Sequence, residues 1–329
     1  MGVPAAGGCV HRDGIPDPPV GRPPFGPVRP GVGAGQRPGP RGRRRERAGR
    51  PVIVHAVARD GVVGSGPVSD GGAAAYFERL GEARFRATDA TSGAWREDEQ
   101  HISPALGLLA HVVERDRDGR RSDGLVLARL SYDILGVVPV AEVETSVRVL
   151  RPGRTIELVE ATLSHAGRAV VVLRAWLLAT RDTAAVAGTS LPGIPPPEQL
   201  PEWSPAEYWP GGFIGSVHLR RHREEAGRGW FWVRTDLPVL AGEPVSPTAR
   251  VAGLLDIANG MTVRADPAGV HFPNIDLTAH LLRVPEGEWL GIDSTQTFGD
   301  TGIGVTSSVL HDARGPLGSL AQCLTVRPR

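Results

Sequence analysis

The sequence repeats itself at a constant shift of 146 residues, and this repeat constrains the fold more than any other feature. Gly107-Leu108-Leu109 recurs as Gly253-Leu254-Leu255, and Val138-Pro139 recurs as Val284-Pro285. Residues 103–182 and 249–328 share 15 identities in 80 positions without a gap. Chains that repeat themselves at a fixed period are built from similar structural units. We therefore predict a tandem duplication rather than two unrelated domains.

Each copy of the repeat has the same order of predicted elements. Residues 103–116 and 246–262 have helical patterns, and Ser246 followed by Pro247 is a typical start of a helix. Four strand-like runs follow in each copy, and a short turn separates the last two. A long helix wrapped by an antiparallel sheet is the hotdog arrangement. The predicted fold is therefore α+β, a tandem (double) hotdog with two antiparallel sheets, each wrapped around a central helix, that cover each other's edges.

Composition divides the chain further. Residues 1–50 contain 12 Gly, 10 Pro and 10 Arg, too few apolar side chains to offset the entropy of ordering. We predict a disordered tail over 1–70. A basic arm for nucleic acid is the alternative, but the arginine cluster 41–50 has no interleaved aromatic residue for stacking on bases. The remaining predicted segments are an N-terminal hotdog, a Pro- and Gly-rich linker, and a C-terminal hotdog that carries the presumed active site: 73–182, 183–212 and 213–329.

The two copies differ at three positions where the second copy has a polar side chain. At the shift of 146, these pairs are Asp256 and Ala110, Asn274 and Ala128, and Gln322 and Trp176. A buried carboxylate is costly unless it is paired or hydrogen-bonded, so Asp256 inside LLDIANG is the most informative of the three. Simpler interpretations are a helix-face Asp in water, a turn Asn and an edge-facing Gln. Asparagine occurs only twice, at Asn259 and Asn274, which we interpret as coding bias.

The runs GLLDIANG, FPNIDLTAHLLRVPEGEWLGIDS and TGIGVTSSVLHDARGPLGSLAQCLTVRP resemble type II (TesB-like) acyl-CoA thioesterases and their actinobacterial relatives. The first copy resembles them in LARLSYDILGVVPVAEVETSVRVLRPGRTIELVEATL, so the resemblance covers about 73–329. In that family an Asp, a Thr or Ser and a Gln hold a water molecule. The resemblance implies these roles for Asp256 and Gln322, with Asn274 where the Thr is expected. Leu277 stands where the family has a His after the Asp at 276.

This resemblance implies hydrolysis of acyl-CoA to free acid and coenzyme A by a positioned water, with no covalent intermediate. Backbone N–H groups near the start of the helix at 246–262 are our candidates for the oxyanion site. Arg151, Arg154 and Arg283 are candidates for binding coenzyme A phosphates, although solvated surface arginines are the simpler interpretation. No Gly-x-Ser-x-Gly elbow is present.

Two other functions remain open. A hydratase or dehydratase on the same fold needs a His paired with an acid in the cleft, and the sequence alone assembles no such pair, although His101, just before the first helix, is a candidate histidine. A polar contact at the helix start is the simpler role for His101. The second alternative is a non-catalytic acyl-CoA or lipid-binding protein, which would tolerate replacement of Asp256.

The remaining expectations concern setting and partners. The histidines lack metal-ligand spacing, and coenzyme A belongs to the substrate, so we expect no metal and no separate cofactor. No apolar run approaches about 18 residues, so we expect no membrane segment. We expect a cytoplasmic homo-oligomer, specifically a dimer, that does not bind nucleic acid.

Overall fold

The computed structural model describes residues 74–93 and 95–329, and the predicted tail at 1–70 lies outside them. The β-strands of the described residues have these bounds: β1 Phe77–Arg79, β2 Arg84–Ala87, β3 Val126–Ile134, β4 Glu142–Arg151, β5 Ile156–His165, β6 Arg168–Leu178, β7 Val217–Glu225, β8 Arg228–Thr235, β9 Val270–His271, β10 Asp276–Leu281, β11 Leu290–Phe298, β12 Ile303–Asp312, β13 Gly315–Thr325 and β14 Arg327–Pro328. The α-helices are α1 Ile102–Arg120, α2 Gly212–Gly215, α3 Pro247–Ala252 and α4 Ala258–Met261. Short 3-10 helices span Asp89–Thr91, Ala184–Val186, Pro197–Gln199 and Leu255–Ile257.

Twelve of these strands form one sheet, and its two halves have the same strand order when each is followed from its outer edge to the centre. The first half contributes β1-β2-β4-β5-β6-β3, and the second half continues with β10-β13-β12-β11-β8-β7. The halves join where β3 pairs with β10, and the Ser131 and Thr278 hydroxyls there lie 2.8 Å apart. The prediction of an α+β double hotdog is confirmed. The two predicted sheets are the halves of one sheet, because pairing of β3 with β10 satisfies the backbone groups of both edge strands.

The repeat has two different shifts, one for helices and one for strands. Strand pairs correspond at a shift of 147, because Leu163 pairs with Val171 as Leu310 pairs with Gly318. The helices correspond at 146, because α1 and α3 cross at Gly107 and Gly253. A Cβ atom built on Gly107 would lie only 2.9 Å from the Cα of Gly253. One extra residue therefore separates helix from strands in the second half.

This extra residue corrects two of the predicted correspondences. A shift of one residue moves every strand side chain to the opposite face. The inward-facing, fully buried counterpart of Gln322 is Ala175, whereas Trp176 is half-buried. Likewise Asn274 corresponds to Leu127 and not to Ala128, because both positions form a β-bridge to equivalent residues of the last strand, Leu324 and Leu177.

The helix predicted at 246–262 is interrupted, whereas α1 is continuous. The hydroxyl of Ser246 caps α3 by accepting a hydrogen bond from the backbone N–H of Ala249 (3.0 Å). Helix α3 ends just before Gly253, because glycine is a poor residue for continuing a helix. The chain then forms the 3-10 turn Leu255–Ile257 and the short helix α4. Asp256 therefore lies in a tight turn rather than on a regular helical face.

Part of the segment predicted to be a linker, 183–212, packs against strand β7 and helix α4 of the second half. Trp203 donates its backbone N–H to the carbonyl of Leu219 (3.0 Å), which attaches this segment to strand β7. The Trp209 side chain is buried and donates from its indole to the carbonyl of Gly260 (2.9 Å). Trp209 thereby reaches the short helix that follows Asp256. None of the helices in the described part of the chain is long and apolar enough to cross a bilayer.

Candidate active site

A cavity of about 300 Å³ lies between the start of α1 and the interrupted helix of the second half. The first half contributes residues 99–102 and 134–138, and the second contributes Asp256, Asn259 and Asn274. Trp95 and Trp209 also line the wall. The predicted location of the site in the C-terminal unit therefore accounts for only part of the cavity, because the start of α1 closes the other side.

Asp256 is buried at the wall of this cavity, and its hydrogen-bond partners among the described residues are side-chain amides. Its Oδ1 atom accepts hydrogen bonds from Nδ2 of Asn274 (2.6 Å) and Nε2 of Gln322 (3.2 Å). Burial disfavours the charged carboxylate and raises the pKa of Asp256 to about 7, while the two amide hydrogen bonds lower it. A carboxylate with a pKa near the working pH is suited to accept a proton from water.

Asn274 holds Asp256 and is itself held in place. Its Nδ2 atom also donates to the backbone carbonyl of Asp276 (3.1 Å), and its Oδ1 accepts from Nδ2 of Asn259 (3.4 Å). Sequence reasoning missed Asn259 as a site residue. The signal was the composition, because the sequence contains only two asparagines. The structure shows that these two are hydrogen-bonded to each other beside Asp256.

Gln322 lies behind Asp256 and does not line the cavity. It projects inward from β13, is 1 % exposed, and orients the carboxylate through its Nε2 atom. Among the described residues, its buried Oε1 atom has no hydrogen-bond partner. The structure therefore brings Asp256, Asn274 and Gln322 together, with Gln322 farthest from the open space. Direct contact between Gln322 and a water molecule stays a prediction.

His101 caps α1 and also lines the cavity. Its Nδ1 atom accepts a hydrogen bond from the backbone N–H of Ser103 (3.2 Å), as expected for a contact at the helix start. The same Nδ1 atom lies 3.9 Å from Oδ2 of Asp256, and the ring packs on Phe213 with centroids 4.3 Å apart. Burial lowers the pKa of His101 to about 3, so the imidazole is neutral.

The three arginines predicted to bind phosphates do not line the cavity. Arg283 forms a bidentate ion pair with Asp312, and Arg151 donates to the carbonyl of Ile156 (2.8 Å). Arg154 is exposed in the turn after β4. Their positions give no support to a role in coenzyme A binding, and that role stays a prediction.

The helix start predicted to stabilise an oxyanion also lies elsewhere. Ser246, which caps α3, contacts Glu114 of α1, and neither residue lines the cavity. The helix start that faces the cavity is that of α1 in the first half. Within the part of the chain that the structure describes, no group of three His, Cys, Asp or Glu side chains is placed to hold a metal ion.

Solved structures share this architecture. A provisionally assigned thioesterase II from Thermobifida fusca YX is 22 % identical, with a TM-score of 0.60, covering 77 % of this chain and 96 % of its own. A hot dog fold protein from Alicyclobacillus acidocaldarius is 17 % identical with a TM-score of 0.61, over the same 77 % and 96 %. The acyl-CoA thioesterase II TesB2 of Mycobacterium marinum is 15 % identical with a TM-score of 0.55, and the match covers 77 % of this chain and 96 % of its own. These similarities establish the fold.

The family follows from sequence models of two consecutive domains. Residues 91–178 match the acyl-CoA thioesterase N-terminal domain, and residues 195–326 match the acyl-CoA thioesterase C-terminal domain. No curated protein matches the chain. The two domain matches occur in the family's order, cover about two thirds of the chain and fall one in each half of the sheet. The chain belongs to the acyl-CoA thioesterase family, whose members are thioester hydrolases.

Proposed function

We propose that this protein hydrolyses acyl-CoA thioesters to a free acid and coenzyme A, with Asp256 as general base and no covalent intermediate. The observation that carries the proposal is a buried carboxylate with a pKa of about 7 at the wall of a largely apolar cavity. Amide groups hold this carboxylate, and within residues 74–93 and 95–329 no Lys or Arg side chain forms an ion pair with it. It therefore remains available to accept a proton.

In the proposed reaction, Asp256 removes one proton from a water molecule as the water oxygen attacks the thioester carbonyl carbon. The carbonyl π electrons move to oxygen and form a tetrahedral oxyanion. When the oxyanion collapses, the carbon–sulfur bond breaks and the thiolate of coenzyme A leaves with the electron pair. The proton held by Asp256 passes to the thiolate. The reaction consumes one water and requires no cofactor beyond the coenzyme A of the substrate.

The acyl chain fits the apolar part of the cavity. Ile134, Val138, Ile214 and Met261 line it, and the exposed Leu135 lies at its rim. A volume of about 300 Å³ is at the small end for ligand sites. If each non-hydrogen atom takes about the volume of a water molecule, roughly 30 Å³, about ten such atoms fit. Coenzyme A must then lie largely outside the cavity.

Thiol release from acyl-CoAs of increasing chain length tests the proposal. We expect turnover with chains that the cavity can hold, and a falling kcat/KM as the acyl chain exceeds about ten carbon atoms. Absence of thiol release from every acyl-CoA of the series would refute hydrolysis. Tight binding without release would instead favour an acyl-CoA-binding protein.

A hydratase or dehydratase is the second candidate, because the structure does bring a His near an acid. The geometry disfavours it. The Nδ1 atom of His101 already accepts a hydrogen bond from Ser103, and a neutral imidazole with a pKa of about 3 is a weak base. The separation of 3.9 Å from Asp256 is also too long for a hydrogen bond between the two.

A further inference from the structure

His101 has one ring nitrogen that the fold uses and one that it leaves available. Nδ1 accepts from the backbone N–H of Ser103, so this atom carries a lone pair and the proton resides on Nε2. None of the residues that the structure describes forms a hydrogen bond with Nε2. The side chain is only 9 % exposed and lines the cavity, so this N–H group is available to a ligand bound there.

Two contacts fix the position of this ring. The Ser103 N–H sets its tautomer and the Phe213 ring packs on one face, whereas Asp256, 3.9 Å from Nδ1, lies beyond hydrogen-bond distance. The ring is also the cap of a 19-residue helix, whose N-terminus carries partial positive charge. A polar side chain that is held rigidly in a buried wall, with one donor unpaired, is prepared to bind an acceptor.

We propose that His101 is a catalytic residue of the thioesterase, whose neutral imidazole donates a hydrogen bond from Nε2 to the thioester carbonyl oxygen. This inference rests on the proposed function. His101 stabilises the oxyanion while Asp256 accepts the proton of the attacking water. The reaction is therefore completed by one residue from each half of the duplicated chain.

The neutral state of His101 suits this role. A donor that is fixed before the reaction, in a site shielded from water, strengthens as charge develops on the carbonyl oxygen. Burial keeps the pKa of His101 at about 3, so the same neutral donor is present throughout the ordinary pH range. Glu99 and Asp256 are the other ionisable side chains that line the cavity. His101 therefore adds no ionisation of its own to the pH profile.

Infrared spectroscopy of a bound carbonyl reads this hydrogen bond directly. The probe is an acyl-CoA analogue in which a methylene group replaces the sulfur atom, with a ¹³C-labelled ketone that cannot be hydrolysed. We expect the carbonyl stretch to move to lower frequency on binding to the wild-type protein. The shift should persist in Asp256→Asn and disappear in His101→Ser.

His101→Ser is the informative variant because serine caps helices well and does not reach the carbonyl. We expect kcat to fall by about 10² to 10³-fold, the usual loss for one oxyanion donor, with little change in KM. The pH at half-maximal rate should stay where it is in the wild type. Ser246→Ala removes the cap of α3, and with it the contact to Glu114, away from the cavity and is the control for the loss of a helix cap.

His101→Asn provides a second variant, since asparagine also caps a helix and offers one shorter donor. It should retain more turnover than His101→Ser. An unshifted ketone in the wild-type protein would overturn the proposal, whatever the variants do. Full turnover in a folded His101→Ser would overturn it too. The infrared shift needs no turnover, so a protein that polarises the ketone but releases no thiol contradicts the proposed function and leaves the His101 contact intact.

Discussion

The starts of helices α1 and α3 each have a carboxylate of the second half nearby, and the surroundings of these two carboxylates are opposite. Before α3, Glu243 binds the guanidinium groups of Arg79 and Arg115, with the His111 ring 3.5 Å away, and these partners lower the pKa of Glu243 to about 2. Facing the start of α1, Asp256 has amides as partners, and burial raises its pKa to about 7. The same architecture therefore produces a permanent anion on one side and a titratable base on the other, because the partners differ.

The residues around Asp256 extend this contrast. In the first half, the positions of Asp256, Asn274 and Gln322 are occupied by apolar residues that are almost completely buried: Ala110, Leu127 and Ala175. No polar group remains in this set, so it contributes packing only. The duplication has kept chemistry in one copy and turned the equivalent place in the other into core.

The largest expected effect is the loss of turnover when Asp256 cannot ionise. Asp256→Asn should lower kcat by about 10² to 10⁴-fold, because a positioned general base is removed. Ala110→Ser, at the equivalent position of the other half, should leave kcat unchanged. Steady-state thiol release from both variants tests the contrast. Equal losses would mean that the two halves contribute alike and that the site is misplaced.

Gln322 sharpens the contrast through the pH profile. Gln322→Glu keeps the size of the side chain but places a second acid 3.2 Å from the carboxylate, and like charges raise a carboxyl pKa. The rising limb of the kcat profile should move above pH 7. Gln322→Ala removes a donor to the charged form, so it should move the limb in the same direction by less. Melting curves of both variants provide the control, since a purely structural Gln322 would lower stability without moving the limb.

The pH dependence of the free energy of unfolding distinguishes Asp256 from Glu243. The pKa of Asp256 rises from 3.8 to about 7 on folding, so the folded state binds the extra proton in this window. Stability should therefore decrease as pH rises from about 4 to 7, by about 1.4 kcal/mol per pKa unit. The Asp256→Asn side chain does not ionise, so this variant does not lose stability in this way. It should be more stable than the wild type at pH 8 but not at pH 4. Urea unfolding at both values measures it, and identical pH dependence in the two proteins would contradict the raised pKa.

Glu243 should behave in the opposite sense and with a smaller effect. Its folded pKa is depressed to about 2, so its contribution is present above its ordinary pKa of 4.5 and disappears as pH falls towards 2. Glu243→Gln should lose about 1 kcal/mol at pH 7, because the arginine partners are partly solvated. Thermal melts at pH 7 and pH 3 test this, with unchanged turnover at pH 7 as the control. A large loss of activity would place Glu243 in the site.

Much of this could be predicted from residues alone, and the failures have physical causes. Asp256, Asn274 and Gln322 were found because the second copy has polar residues there, and Asp256 was the most informative because a buried carboxylate is costly. The strand shift of 147 was missed because identities such as His165 and His311 also recur at 146 in the turns, although the structure places Asp312 at the position of His165. Contact between His101 and Asp256 depends on how the two halves are placed, which no local pattern specifies. The interruption of the second helix follows from packing around Gly253, and the pattern at 246–262 does not reveal it.

The extra residue between helix and strands also limits how the halves can be engineered. To copy the Asp256 environment into the first half, Ala110 must be replaced by Asp, according to the helix shift of 146. Leu127 must be replaced by Asn and Ala175 by Gln, according to the strand shift of 147. A graft made from the gapless alignment would put the amide of Gln322 at Trp176, on the outer surface of the sheet. The duplicated chain is thus symmetric in topology but not interchangeable part for part.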